Sequence, residues 1–195
     1  MTPYETALER LRRIIEEASA RRVHEPAAAT LATADTNGQP SARTIFIASI
    51  ESAGLFFFAN LKSGKGQQLT TNPYAALCFF WRELRQQVTL EGEVELLTVA
   101  DSDRYWKQRF REAKLGAWAS EQGAAFHGKA EIQNELSRHR KQFSGDFIPR
   151  PDNWRGFRLL PARIEFWQTG WQRLSPRVKY HRGPDGTWTV EQENP

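Results

Sequence analysis

Hydrophobic positions along the chain change from a helical period to a strand period near residue 25. Apolar residues recur at intervals of three and four from Leu8 to Ala18, with Glu and Arg between them, which predicts an amphipathic helix over residues 4–21. The segments that follow alternate apolar and polar residues and end at turns rich in Gly, Asn and Pro. The pattern therefore predicts one leading helix followed by a series of β-strands.

Short alternating segments separated by turn residues predict a mostly antiparallel sheet. The first two strands are joined by Asp35-Thr36-Asn37-Gly38, a strong turn signal because Asn and Gly tolerate positive φ. The predicted strands cover residues 27–34, 41–50, 55–59, 75–81, 87–97, 155–168, 171–181 and 187–191. Tight turns between most of them argue against a doubly wound parallel sheet and favour a barrel with peripheral helices.

Three further helices are predicted in the connections between strands. One begins after Ser63, a suitable N-cap, and the other two cover residues 100–112 and 129–143. Because we find no repeat, low-complexity tract or linker, we expect a single domain over residues 1–195. The amphipathic leading segment, residues 1–25, could close over a site as a lid.

Charge and cysteine content restrict the partners and the compartment. A net charge of +4 and a pI of about 9.4 indicate anionic partners. Because Lys and Arg are dispersed, a phosphorylated small molecule is favoured over nucleic acid. The single cysteine, Cys78, excludes a disulfide within the chain and fits a reducing compartment. Residues 1–20 lack the apolar core of a signal peptide, and no segment has the roughly 20 apolar residues of a membrane span. We therefore expect a cytoplasmic protein with no membrane partner.

Two clusters of polar residues before residue 112 could bind anions. Arg43 lies on a predicted strand, and Lys62 and Lys65 flank a turn that contains Ser63 at a predicted helix start, where free N–H groups and the helix dipole favour phosphate. The spacing is not that of a P-loop, and a solvated basic turn stays an alternative. Tyr105 and Arg109 are four residues apart on a predicted helix, so they share a face that could hold a second anion. A solvated helix face explains that second pair equally well.

Other residues point to a cofactor without defining one. Gln87 enters a strand with an amide that can both donate and accept, as the edge of a flavin or a base requires, although a polar strand end is the simpler interpretation. Arg173, Ser175 and Arg177 point the same way on a predicted strand, and two guanidiniums on one face indicate a bound anion. The four His residues lack metal-ligand spacing, and no Ser-His-Asp or Cys-His arrangement is present. Chemistry carried by a bound cofactor is therefore favoured.

Five segments, in this order, resemble the pyridoxamine 5′-phosphate oxidase family: TNGQPSARTI, NLKSGKGQQLTTNP, LGAWASEQ, PRPDNWRGFRL and IEFWQTGWQRL. The similarity runs from about Ala27 to the C-terminus. It implies a mostly β fold with peripheral helices, an antiparallel split β-barrel that works as a homodimer with FMN bound at the subunit interface. It also implies oxidation of pyridoxamine or pyridoxine 5′-phosphate to pyridoxal 5′-phosphate, by hydride transfer to the flavin with O₂ as the acceptor.

Position by position, the resemblance implies two groups of site residues. The FMN group, partly contributed by the second subunit, comprises Arg43, Thr44, Ile45, Phe58, Ala59, Lys65, Gln87, Gln122, Trp167 and Arg177. The substrate group comprises Tyr105, Arg109, Arg173 and Ser175. Arg173 is expected to position the substrate ring, and neither a catalytic base nor a metal is assigned.

The chain departs from the family pattern mainly on the substrate side. Ala48 stands where the family has Lys, Ala113 where it has Ser, and Ser175 where it has His; on the flavin side, Gly64 replaces Arg and Gly123 replaces Ser. Losing a Lys and a Ser contact weakens phosphate binding by roughly 2–4 kcal/mol. Two alternatives therefore stay open. One is an FMN-dependent oxidase of a different small molecule, such as a phenazine precursor; the other is a flavin- or pyridoxal-phosphate-binding protein without turnover.

Overall fold

The structure, a computed structural model, describes residues 1–120, 128–170 and 176–193. The strands are β1 (Ala28–Ala34), β2 (Pro40–Glu51), β3 (Gly54–Asn60), β4 (Tyr74–Trp81), β5 (Gln86–Leu96), β6 (Trp154–Gln168), β7 (Arg177–Arg182) and β8 (Trp188–Glu193). The helices are α1 (Pro3–Ala20), α2 (Gly64–Thr71), α3 (Val99–Gln108), α4 (Arg111–Ala119) and α5 (Lys129–Gln142). The first part of the strand predicted over residues 171–181 lies outside the described residues.

Six of the described strands close into an antiparallel barrel. The hydrogen-bonded order is β3-β2-β1-β4-β5-β6, and a further pairing of β3 with β6 completes the ring. The long strand β6 pairs with β5 along one edge, and along its other edge residues Trp154–Leu159 pair with β3 and residues Arg163–Trp167 pair with β7. Strands β7 and β8 therefore extend the sheet beyond the barrel. The predicted mostly β, antiparallel barrel with peripheral helices is confirmed.

The β1–β2 hairpin shows how local sequence sets the register of the sheet. The Asp35 carboxylate accepts the backbone N–H groups of Asn37 and Gln39, each at 2.9 Å. Gly38 has a φ of +80°, in the left-handed region that glycine adopts at little cost. The predicted turn is therefore confirmed, and it fixes which residues of β2 point into the barrel.

Helix α1 is part of the core and closes one side of the sheet. A capping box starts the helix, with the backbone N–H of Glu5 donating to Thr2 Oγ1 at 3.2 Å and that of Thr2 donating to Glu5 Oε2 at 2.7 Å. Its apolar face, including Leu8 and Leu11, is buried in the main cluster, and it packs on β2, β7 and β8. No residue of α1 lines either of the two clefts described below. The lid role of residues 1–25 stays a prediction.

Two helices, α3 and α4, replace the single helix predicted over residues 100–112, so that prediction is wrong. The backbone is extended at Arg109 and Phe110, with ψ of 144° and 146°. Trp106 and Leu115 are nine residues apart, so a continuous helix would place them on opposite faces. The break lets both side chains pack into one apolar cluster beside the barrel. Tertiary burial has therefore overridden the local helical pattern.

Candidate active site

Two adjoining clefts open where β2 and β3 face α3 and α4. The first, here called the Tyr105 cleft, has a volume of about 550 Å³ and is lined by residues that include Ser49, Glu51, Arg104 and Tyr105. The second, the Lys65 cleft, also has about 550 Å³ and is lined by residues that include Thr44, Ile45, Ala59, Lys65 and Trp154. Ala48, Phe58, Arg109 and Ala113 line both. The clefts are therefore contiguous, and each is large enough for a small-molecule ligand.

The N-terminus of α2 forms the polar end of the Lys65 cleft. Ser63 caps the helix as predicted, since its hydroxyl accepts the N–H of Gly66 at 3.2 Å and donates to the carbonyl of Asn60 at 2.6 Å. A Cβ at Gly66 would lie 2.4 Å from that same carbonyl, so only glycine allows this close turn. Lys65 is half-buried at the helix start, where the helix dipole and the ammonium together favour an anion.

Arg43 lies beside Lys65 and is not one of the residues that line the Lys65 cleft. Its guanidinium donates to the hydroxyl of Thr33 at 2.6 Å and to the carbonyl of Leu31 at 3.2 Å, and it also contacts Gln68. Burial and the nearby Arg43 charge lower the pKa of Lys65, and burial lowers the pKa of Arg43. Arg43 therefore adds positive electrostatic potential to the Lys65 cleft without lining it.

Tyr105 meets a carboxylate that the sequence analysis did not identify. Its hydroxyl donates to Glu51 Oε1 at 2.6 Å, and the hydroxyl of Ser49 donates to the same oxygen at 2.8 Å. Burial, and then the bond to Glu51, raise the pKa of Tyr105, while the same bond lowers the pKa of Glu51. Glu51 ends a strand and has the pattern of an ordinary solvent-facing residue, so no signal in the sequence distinguished it.

Arg109 lies at the junction of the two clefts and is held by an aromatic stack. Its guanidinium carbon is 5.1 Å from the ring centroid of Trp154, whose ring stacks on Phe58 at 4.4 Å with an angle of 4°. The Nε of Arg109 is buried without a hydrogen-bond partner, and within the described residues Arg109 forms no ion pair. Burial lowers its pKa. Because a buried cation is stabilised by an opposite charge, this position favours an anionic ligand.

Tyr105 and Arg109 were predicted to share a helix face, and the structure brings them together differently. Both line the Tyr105 cleft, but Arg109 is the C-cap of α3 and its backbone has already left the helix. Two positions where the sequence lacks the family's polar residues, Ala48 and Ala113, line the same cleft. The substrate-side residues within the described chain therefore converge on one place.

Three predicted site residues lie elsewhere on the sheet. Gln87, Trp167 and Arg177 are paired across β5, β6 and β7, so they form one row on the sheet. Trp167 is separated from Trp154 by 13 residues of β6, about 40 Å of strand. Within one chain this row is not part of either cleft. The predicted residues Gln122, Arg173 and Ser175 lie outside the described residues.

Other chemistry has little support in the described part of the chain. Cys78 is half-buried and burial raises the pKa of its thiol, which makes it a poor nucleophile. Among the residues that the structure describes, no group of His, Cys, Asp and Glu side chains could hold a metal ion. In the same residues, no helix combines the length and the apolar character needed to cross a membrane.

The sequence matches two models of known protein families. Residues 15–143 match the family model described as pyridoxamine 5′-phosphate oxidase, and residues 154–195 match that of the pyridoxine 5′-phosphate oxidase C-terminal dimerisation region. The chain belongs to the pyridoxamine 5′-phosphate oxidase family. It is therefore an oxidoreductase that carries the family's dimerisation region, as the resemblance of the five sequence segments implied.

Relatives in the pyridoxamine 5′-phosphate oxidase family match over most of their length. A pyridoxine/pyridoxamine 5′-phosphate oxidase of Ralstonia nicotianae is 45% identical over 183 residues, which cover 94% of this chain and 86% of that protein. The enzyme of the same name from Anaeromyxobacter dehalogenans is 44% identical over 181 residues, covering 93% and 91%.

Solved structures of the family confirm the split-barrel fold. PhzG from Burkholderia lata 383, in complex with tetrahydrophenazine-1-carboxylic acid, superposes with a TM-score of 0.89 at 30% identity and covers 100% of this chain and 98% of that one. An FMN-binding protein of Nostoc punctiforme, related to pyridoxamine 5′-phosphate oxidase, superposes with a TM-score of 0.78 at 19% identity, covering 100% and 99%. The second likeness concerns the fold alone.

Proposed function

We propose that this protein is an FMN-dependent oxidase that converts pyridoxine or pyridoxamine 5′-phosphate to pyridoxal 5′-phosphate, with O₂ as the electron acceptor. The observation that carries the proposal is Arg109, a half-buried cation at the junction of two contiguous clefts with no ion pair among the described residues. The Lys65 cleft provides a second cationic position. Two such positions suit two phosphorylated molecules, the cofactor and the substrate, and the names of the relatives support this choice.

The residues of the Lys65 cleft fit FMN. Lys65 and the N–H groups at the start of α2 would hold the phosphate, and Phe58, which lines the cleft, offers aromatic surface for the planar ring. Thr44 and Ile45 line the same cleft. When bound, FMN supplies a two-electron acceptor that takes a hydride from the substrate and is reoxidised by O₂ with release of peroxide.

The residues of the Tyr105 cleft position the substrate. The guanidinium of Arg109 presents a planar set of donors to the substrate phosphate, and the Trp154 ring keeps it oriented without neutralising its charge. Tyr105 provides a hydroxyl beside it. Phe58 lines both clefts, so it places the substrate ring next to the flavin and excludes water there. Arg173 is proposed to hold the ring from the other side.

A homodimer would complete this site. The row of Gln87, Trp167 and Arg177 continues to Phe80, which is 59% exposed, and Phe46, at the rim of the Lys65 cleft, is 57% exposed. Large exposed aromatic residues on one sheet indicate a surface that another protein covers. In a two-fold dimer each copy presents the same patch, so the row of one subunit can reach the cleft of its partner. The match to the dimerisation region supports this arrangement.

A second candidate function is the oxidation of a different ring compound. Ala48 and Ala113 bring no donor to the Tyr105 cleft, and Glu51 brings a negative charge, so this cleft is less suited to a phosphate than one with Lys and Ser at those positions. A carboxylate, with one negative charge, would bind to Arg109 with less repulsion from Glu51 than a phosphate dianion. The structural likeness to PhzG favours this type of substrate.

Steady-state kinetics distinguishes the two candidates. The FMN-loaded protein is supplied with pyridoxine 5′-phosphate, and pyridoxal 5′-phosphate and peroxide are measured together. Equal amounts of the two products support the proposed oxidase. No turnover of this substrate, together with oxidation of a reduced tricyclic carboxylic acid, would instead establish the second function.

A further inference from the structure

Glu51 is the acidic residue at the outer end of the Tyr105 cleft. One of its carboxylate oxygens accepts both the Tyr105 hydroxyl and the Ser49 hydroxyl, at 2.6 and 2.8 Å. The Tyr105 ring packs against both Phe56 and Phe58 of β3, with centroid distances of 5.7 and 5.1 Å. Because two aromatic rings hold the Tyr105 ring in place, its hydroxyl stays within reach of Glu51.

The hydroxyl of Tyr105 has a single proton to donate. While it donates to Glu51, it cannot donate to an oxygen of a bound phosphate. The carboxylate also repels a phosphate dianion placed near it. Two cations, Arg104 and Arg109, line the cleft with Glu51, so the acidic residue reduces but does not reverse its positive charge.

We propose that Glu51 determines the affinity of the Tyr105 cleft for phosphate esters by competing with the substrate for the hydroxyl of Tyr105. The inference rests on the proposed function, in which this cleft takes the substrate phosphate. Binding of the ester requires the O–H of Tyr105 to turn from Glu51 to the ligand, and the reverse turn assists release of the phosphorylated product. Glu51 is thus a specificity-determining residue that acts through Tyr105.

The variant Glu51→Gln tests the proposal with a change of charge and almost none of size. The amide can donate to the phenol oxygen, which leaves the O–H of Tyr105 for a phosphate. We expect the Kd of pyridoxal 5′-phosphate, measured on the FMN-loaded protein by fluorescence without turnover, to fall by about 3- to 10-fold. The Kd of pyridoxal, which lacks the phosphate, should not change. Glu91→Gln, which removes an exposed carboxylate paired with Arg163, is the matched control and should leave both values unchanged.

The same comparison in a Tyr105→Phe background identifies the route of the effect. If Glu51 acts by holding the hydroxyl, most of the gain from Glu51→Gln disappears once that hydroxyl is absent. A gain that persists in full, or no gain in the parent background, would overturn the proposal. Turnover of pyridoxine 5′-phosphate by the unmodified protein is measured in parallel. Turnover without tighter binding of pyridoxal 5′-phosphate by Glu51→Gln rejects only the role of Glu51. Tighter binding without turnover rejects only the oxidase function. The absence of both rejects both proposals.

Discussion

The guanidinium of Arg109 lies over the indole ring of Trp154, with 5.1 Å between the guanidinium carbon and the ring centroid. The ring is itself fixed, since Phe58 stacks on it at 4.4 Å and Trp106 meets it edge-on at 4.9 Å. An aromatic partner orients a cation and leaves its charge intact, whereas a carboxylate would orient the cation and also neutralise its charge. This arrangement keeps Arg109 available to an anionic ligand at the junction of the two clefts.

Replacing Arg109 by Lys should weaken substrate binding. A lysine keeps the charge but loses the planar donor set and the stacking on Trp154. We expect the KM for pyridoxine 5′-phosphate to rise by about tenfold or more, with the Kd for FMN changed by less than about threefold. Steady-state kinetics and a flavin titration check the two values. Arg163→Lys, at an exposed ion pair with Glu91, is the control, and an unchanged KM in the Arg109 variant would refute the assignment.

Two glycines at the start of α2 provide a matched pair. A Cβ at Gly66 would lie 2.4 Å from the Asn60 carbonyl, whereas a Cβ at Gly64 has no neighbour within 4 Å. Gly66→Ala should therefore destabilise the protein by about 1–3 kcal/mol and weaken FMN binding, because the turn that presents Lys65 must shift. Gly64→Ala should leave both the stability and the FMN affinity unchanged. Thermal melting and FMN titration measure both quantities in the two variants. Equal melting temperatures and equal Kd values for FMN would contradict this role for the turn.

Lys65→Met should impair binding of the flavin phosphate and spare the ring. Loss of one charge-assisted bond weakens FMN binding by about ten- to 100-fold. Riboflavin has no phosphate, so its Kd should stay the same. Lys62→Met is the control, since Lys62 is an exposed neighbour that lines neither cleft. Equal losses for FMN and riboflavin would mean that Lys65 serves the fold and not the phosphate.

The lowered pKa of Lys65 predicts a loss of FMN affinity at alkaline pH. Burial and the Arg43 charge hold this pKa below the ordinary value of 10.5 in the flavin-free protein. A bound phosphate favours the charged ammonium, so FMN raises the pKa of Lys65 and its binding takes up a proton above the flavin-free pKa. FMN therefore binds with its full affinity below the flavin-free pKa of Lys65, and its affinity falls as the pH rises above that pKa. Isothermal titration across this range should show the decline, and Lys65→Arg, which stays charged, should remove it.

Phe80→Asp tests the dimer and the shared site together. Phe80 is 59% exposed and is paired with Gln87, so a charge there should disrupt the subunit contact while the barrel of each chain stays folded. We expect a monomer by light scattering and FMN affinity at least about tenfold weaker. Phe147→Asp, at a residue 78% exposed and outside the row, is the control. A variant that stays dimeric, or a monomer that binds FMN normally, would contradict the interface-bound site.

Features with a local cause were predictable from the sequence. The capped helix α1, the Asp35–Gly38 turn and the Ser63 cap each depend on residues within a few positions of one another. The antiparallel barrel followed from tight turns between short strands. The two groups of site residues around Lys65 and Arg109 were identified from sequence motifs. Which of these residues contact a flavin stays a prediction.

Features with a distant cause were not predictable. The break at Arg109 and Phe110 exists because Trp106 and Leu115 are buried in one cluster, which no local pattern reveals. The row formed by Gln87, Trp167 and Arg177 depends on strand register, and its distance from Trp154 depends on the length of β6. Glu51 was missed because only the folded chain places it against Tyr105.

Anaerobic mixing of the FMN-loaded protein with pyridoxine 5′-phosphate tests the proposed function most directly. The visible absorption of the oxidised flavin should bleach at a rate that depends on substrate concentration, pyridoxal 5′-phosphate should appear in equal amount, and admission of O₂ should restore the yellow colour. A flavin that stays yellow under saturating substrate would show that the substrate is a different compound. Failure of the purified protein to take up FMN at all would contradict the flavin site itself.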